Sequence, residues 1–254
     1  MKSVRAQRSV GLALAGLLVL SFAPVTQAAT SKAFRFDLGA RADYVAQTNL
    51  VQCVGASMQM MLNMQRPGAD RSASTQLRLQ RLARERSGPS RTGRHRQGAS
   101  VRGWSAGLNE LGAGPYRVVG TDTLHQAVLL AATAMRETGR PVGLLVWRGR
   151  HAWVMSGFTS TRDPLKGGRV TGAIVEDPLH PHGGSSIWGR SPAPGSTLSI
   201  GQLGRQFVPR RSSSRAGSLA GKYVLVLPFE YDEMYQRLKL IRRGVGPAAQ
   251  TNDD

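Results

Sequence analysis

The order of apolar and polar positions divides the chain into a helix-patterned first part and a strand-patterned second part. Residues 33–44 alternate loosely through Phe34, Phe36 and Leu38 and read as an extended segment. Met58, Met61, Leu62 and Gln65 then follow Cys53 and Val54 at intervals of three and four. That spacing predicts a helix that starts at Cys53 and stops at Pro67 and Gly68, with the small residues Gly55, Ala56 and Ser57 suited to close packing near its start. Its methionines (Met58, Met60, Met61, Met64) read as adaptable core filling. A second helix is predicted over 72–86, with Leu77, Leu79 and Leu82 inside and arginines outside. A third over 100–111 ends at Gly112 and leads to a strand over 116–119. Thr121-Asp122 then caps a helix over 123–137, apolar through Ala127, Val128, Leu130, Ala131 and Met135 and closed by Gly139.

Beyond Pro141 the period becomes that of strands, over 142–147, 152–158, 170–175 and 223–227. Helices first and strands second predict an α+β domain over 29–230, in which a helical layer packs on one face of a mostly antiparallel sheet. Residues 87–98 hold nothing apolar to bury and read as a mobile loop. Residues 182–220, rich in Gly, Ser, Pro and Arg, read as an insertion before the last strand, and 231–254 as a C-terminal helix and loose tail.

The first residues change the setting. Lys2, Arg5 and Arg8, an apolar run over 10–22 and the small residues of Thr26-Gln27-Ala28 read as an export signal over 1–28, cut after Ala28. The run is short for a membrane anchor and is followed by Pro24, so the expectation is a secreted or envelope-associated protein with no membrane span once the signal is removed. Formal net charge over the full sequence is +19. Arginines gather between residues 66 and 102, where only Asp70 and Glu85 oppose them. This basic insertion fits contact with a polyanion or an anionic envelope surface, without calling for a specific nucleic acid; a solvated basic face gives the same pattern.

An exported chain usually pairs its cysteines, yet Cys53 is alone. A lone cysteine is either a small buried hydrophobe or a reactive group. Thiol catalysis needs a thiolate at a helix N-terminus, an imidazole beside it, a group to orient the ring, and donors for the oxyanion. Cys53 begins an apolar helix, where the dipole and free amides favour a thiolate. Gln47, six residues earlier, is placed to aim its amide at the oxygen that becomes negative during attack; Gln52, adjacent to the cysteine, points elsewhere. His151 opens a strand after the turn Arg148-Gly149-Arg150, and Asp177 ends the next strand, before Pro178. If these strands pair, Asp177 accepts the Nδ1 proton of His151 and fixes its tautomer; a plain turn residue also fits Asp177. Glu176 is expected on the other side of the sheet. His180 and His182 have no carboxylate or cysteine cluster nearby, so no metal or other cofactor is called for. Trp147 and Trp153 line a cleft or fill the core, and Trp104 is expected in the core.

The spacing of Gln47 and Cys53, the Gly55-Ala56-Ser57 that follows, Gly139-Arg140-Pro141-Val142 leading into a strand, the His151 hairpin and the closing Asp177-Pro178 resemble the papain-like cysteine peptidases related to the bacteriocin-leader-processing (double-glycine) enzymes. The resemblance spans about residues 44–178. It implies a papain-like fold that hydrolyses peptide or amide bonds of a peptide or protein substrate through a Cys53 thioester. His151 would act as base and then acid, Asp177 would orient the ring, and Gln47 would donate to the oxyanion. The chain departs from the family in having Cys53-Val54-Gly55 where Cys-Gly-Pro is usual, and in the basic stretch that lengthens the path to His151. His151-Ala152-Trp153-Val154 also resembles the histidine strand of transglutaminases, which share the acyl-enzyme chemistry but transfer to an amine. An alternative of another class is a non-catalytic domain that holds an anionic partner on its basic face.

Overall fold

One long strand organises the molecule. In the computed structural model, which describes residues 33–66, 68–88, 97–213, 216–229 and 236, the elements run β1 (Phe34–Asp37), α1 (Cys53–Asn63), α2 (Ala73–Glu85), α3 (Val101–Glu110), β2 (Tyr116–Thr121), α4 (Leu124–Thr138), β3 (Val142–Val146), β4 (His151–Ser160), β5 (Val170–Glu176), β6 (Gly184–Ser185), β7 (Gly189–Arg190), β8 (Ser196–Ser199), α5 (Ile200–Gly204) and β9 (Tyr223–Pro228). The expected export signal, the centre of the 87–98 loop and, apart from position 236, the expected C-terminal helix and tail lie outside the described residues.

β4 spans ten residues and is buried along almost its whole length. It pairs with β3 over its first half and with β1 over its second, while β5 pairs along its other edge. The main sheet has the order β2-β9-β3-β4-β5-β8, with β1 off that path, and every pairing is antiparallel. The chain is therefore a mixture of helices and an antiparallel sheet, α+β as its patterning predicts.

Helices cover both faces rather than one. On one face α1, α2 and α3 bury Met58, Met60, Met61, Leu79 and Trp104 against Ala152, Val154, Val224 and Val226. On the other, α4 packs Val128, Leu130, Ala131 and Met135 against Leu144, Trp153, Met155 and Leu225. Alternate residues of β4 thus serve two cores, as the period of two requires. Each fully buried methionine contributes about 1.5–3 kcal/mol. The single-layer expectation fails because α4, rich in alanine, lies flat on a sheet whose strands are apolar on both sides.

Caps set the helix starts. Ser72, Ser100 and Thr123 accept from the Thr75, Gly103 and Gln126 amides, so the cap of α4 is Thr123 and not Thr121-Asp122. Gly139 ends α4 with φ of 62°, which a side chain would resist. In α2 the inward face differs from its leucine pattern: Leu79 is buried and Leu82 partly so, but Leu77 is 41 % exposed, and Gln76 and Gln80 point inward. Residues 182–220 are more than an insertion. They supply the small β6–β7 hairpin, the strand β8 on the edge of the main sheet, and Leu203 and Phe207 of the core. Among the described residues no helix is long and apolar enough to cross a membrane.

Candidate active site

Cys53 is the first residue of α1 and is half-buried. The first amides of a helix have no intrahelical acceptor. Here the Gly55 N–H is taken by Gln80 Oε1 at 2.9 Å and the Ala56 N–H returns to the Gln52 carbonyl at 3.0 Å, which leaves the Cys53 end of the helix as the place where an anion meets free N–H groups. Two glutamines one turn apart on α2 hold the segment that leads to the thiol. Gln76 accepts from the Thr48 N–H at 2.8 Å and donates to the Ala46 carbonyl at 2.9 Å; Gln80 donates to the Val51 carbonyl at 2.9 Å. Gly55 permits that contact, since a Cβ there would stand 2.7 Å from the Gln76 carbonyl oxygen.

His151 opens β4 because the β3–β4 register ends with Val146 opposite it. β5 pairs Glu176 with Val154, which carries Asp177 past the strand end and level with the first residues of β4. There His151 Nε2 lies 2.7 Å from Asp177 Oδ1; the carboxylate only accepts, so Nε2–H donates. This corrects the expectation that Nδ1 would face Asp177. The Cys53 side chain lies beside His151 and contributes to its electrostatics. With Nε2 committed to Asp177, Nδ1 is the nitrogen left for the thiol. The Asp177 side chain is 0 % exposed and His151 5 %, yet the carboxylate is well supplied with donors: His151, the Leu179 N–H at 2.9 Å and the Ser191 hydroxyl.

Burial alone would lower the His151 pKa. Interactions with Asp177, by hydrogen bond and charge, and with the Cys53 side chain outweigh it and raise the pKa to about 9. The site therefore favours the protonated imidazolium of His151. Trp147 stacks on the imidazole at 4.5 Å between centroids. Trp147 and Arg148 both have φ of 55°, a region that side chains of this size rarely occupy. The conformation is held by the Trp147 Nε1–H bond to Gln206 Oε1 and its N–H bond to the Gln206 carbonyl, both 2.9 Å.

Gln47 is buried in the segment before the nucleophile. Its Nε2 donates to the Asn49 carbonyl at 2.8 Å, which fixes which end of the amide is nitrogen and uses one of its two N–H groups; its Oε1 is buried without a hydrogen-bond partner. Its backbone N–H bonds the Pro178 carbonyl at 2.7 Å, and the Tyr44 hydroxyl donates to the Asp177 carbonyl at 3.0 Å and to that of His180. The segment before Cys53 and the Asp177 turn are thereby tied together. Gln52 is held by the Thr48 hydroxyl and stays structural.

The structure brings Cys53, His151 and Asp177 together, with a hydrogen bond between the last two, and places Gln47 in the adjoining loop. Gln76, Gln80 and Ser191 escaped the sequence reading. Glutamines at i and i+4 inside an arginine-rich helix were the available signal for the first two; a serine within a Gly/Ser/Arg-rich stretch offers none. Among the described residues no cluster of three His, Cys, Asp or Glu is placed to share a metal ion. Comparison with known proteins finds no match: neither a family model, nor a curated protein, nor a solved structure.

Proposed function

We propose that this chain is an exported papain-like cysteine peptidase or amidase acting on a peptide or protein substrate. The observation that carries the reading is His151, hydrogen-bonded through Nε2 to the buried Asp177 and interacting with the neighbouring Cys53 at the start of α1. The export part rests on the charged and apolar pattern of residues 1–28.

The proposed chemistry is acyl transfer through a thioester. The Cys53 thiolate attacks the carbonyl carbon, and the oxygen that takes up negative charge meets the Cys53 N–H at the start of α1 and the second N–H of Gln47. His151 gives its proton to the leaving amine as the C–N bond breaks, and a thioester remains. Water then attacks the thioester, His151 takes its proton, the C–S bond breaks, and the acid leaves with the Cys53 thiolate and protonated His151 restored. Asp177 keeps Nε2 protonated and the ring oriented throughout. Trp147 covers one face of the imidazole, which limits the water that reaches the ion pair.

Alkylation of Cys53 by iodoacetamide from about pH 5 to about pH 9 tests the ion pair directly. Wild type is expected to react fast near neutral pH and His151→Ala at least about tenfold more slowly. A thiol that is inert at neutral pH, or equally reactive in both proteins, sinks the proposal. Incorporation of a primary amine in place of hydrolysis would move the assignment to a transglutaminase-like acyl transferase.

A further inference from the structure

Glu176 stands next to Asp177 in sequence and takes no part in the chemistry above. Its oxygens accept from the Ser156 hydroxyl at 3.2 Å and the Gly195 N–H at 3.0 Å, so the two consecutive carboxylates share no side-chain partner. Glu176 instead forms part of the wall of a cavity of about 590 Å³, together with Asp37, Arg41, Tyr44, Arg71 and His180. That volume is in the range of small-molecule sites.

The lining carries charges of both signs in different places. Glu176 is only 5 % exposed, whereas Asp37, Arg41 and Arg71 are exposed. Asp37 is already engaged by Arg35 at 2.7 Å. The Tyr44 hydroxyl is spent on the Asp177 and His180 carbonyls. Among the described residues neither Arg41 nor Arg71 forms an ion pair with a carboxylate. A simple anion drawn in by the two guanidiniums meets Glu176 and Asp37, and a simple cation drawn to Glu176 passes Arg41 and Arg71. A short ligand with one charge of each sign avoids both repulsions.

We propose that this cavity binds a small zwitterion, a free α-amino acid or a dipeptide, with its ammonium on Glu176 and its carboxylate on Arg41 and Arg71. The protonation state of Glu176 supplies a signature. Burial raises its pKa to about 7; the Gly195 and Ser156 hydrogen bonds pull it down, and Asp37 and Asp43 push it up. Those groups, with Arg41, Tyr44, Arg71 and His180, are the polar surroundings of Glu176. An ammonium beside it favours the carboxylate, so binding near neutral pH releases a proton. The site does not depend on the thiol chemistry.

Titration calorimetry of the purified protein tests this, with L-alanine and glycylglycine as probes and N-acetylalanine methylamide, acetate and methylamine as controls. The zwitterions are expected to bind at least about tenfold more tightly than every control. Their apparent enthalpy should depend on the buffer, which reports the released proton. Arg71→Gln and Arg41→Gln, at exposed positions, should each weaken binding about tenfold; Glu176→Gln should abolish the buffer dependence. Equal binding of the capped or singly charged controls, unchanged affinity in both arginine variants, or no binding at all overturns the proposal. Iodoacetamide kinetics at Cys53, measured on the same samples, report separately on the peptidase reading.

Discussion

At His151 burial and hydrogen bonding act in opposite directions, and the direction of the net shift sets a pH window. Its folded pKa lies above the ordinary value of about 6.5, near 9. The stability gained by binding that proton is therefore complete below about pH 6.5 and is lost as pH rises through about 9. In the proposed mechanism the same proton is given to the leaving group, so turnover should fall along an alkaline limb near pH 9. Asp177→Asn removes a carboxylate that raises the pKa and should move that limb to lower pH, as read from the pH–rate profile of alkylation or hydrolysis. Asp177→Ala should also cost about 3–5 kcal/mol in denaturant unfolding, because it leaves the buried His151 cation without its partner. Ser191→Ala should cost about 1–3 kcal/mol by the same measurement. The pairing of His151 with Asp177 was legible in the chain because each sits at the end of an apolar strand. Which ring nitrogen faces which partner was not, since it depends on the ring's rotation within the finished site.

The start of α1 owes its position to α2. Gln80 binds the Gly55 N–H and the Val51 carbonyl at once, and so spans Cys53 in sequence. Gln80→Leu keeps the bulk and removes both bonds; it should cost about 1–3 kcal/mol. It should also slow Cys53 alkylation while leaving the alkaline limb in place. A limb that moved with the rate would mean that Gln80 acts on His151 rather than on the thiol's placement. α2 shows why patterning alone misplaced this face. Leu79 and Leu82 do pack inward as the stripe suggests, but Leu77 does not: the neighbouring groove is lined by the polar backbone of residues 46–51, where the Gln76 and Gln80 amides satisfy carbonyls and N–H groups that leucine cannot. The strand β8 was hidden for a related reason: its four residues, Ser196–Ser199, carry little apolar signal, and only pairing with β5 gives them extended structure.

Over the whole molecule the charge is the simplest handle. With a formal charge of +19 and Arg78, Arg81 and Arg84 exposed along α2, the protein should bind heparin at low salt. Replacing those three arginines with glutamine should lower the salt needed for elution; unchanged elution would place the polyanion contact elsewhere. The two-sided architecture was legible only in part, because an apolar helix and an apolar strand do not announce which face they share. Chain order within the sheet has a further effect. Cys53, His151 and Asp177 have all been made by residue 177, but β9, the last strand, lies between β2 and β3 and pairs with both. Ser191 also comes later than the carboxylate it satisfies. A growing polypeptide thus carries Cys53, His151 and Asp177 well before β9 is made to close the sheet around them.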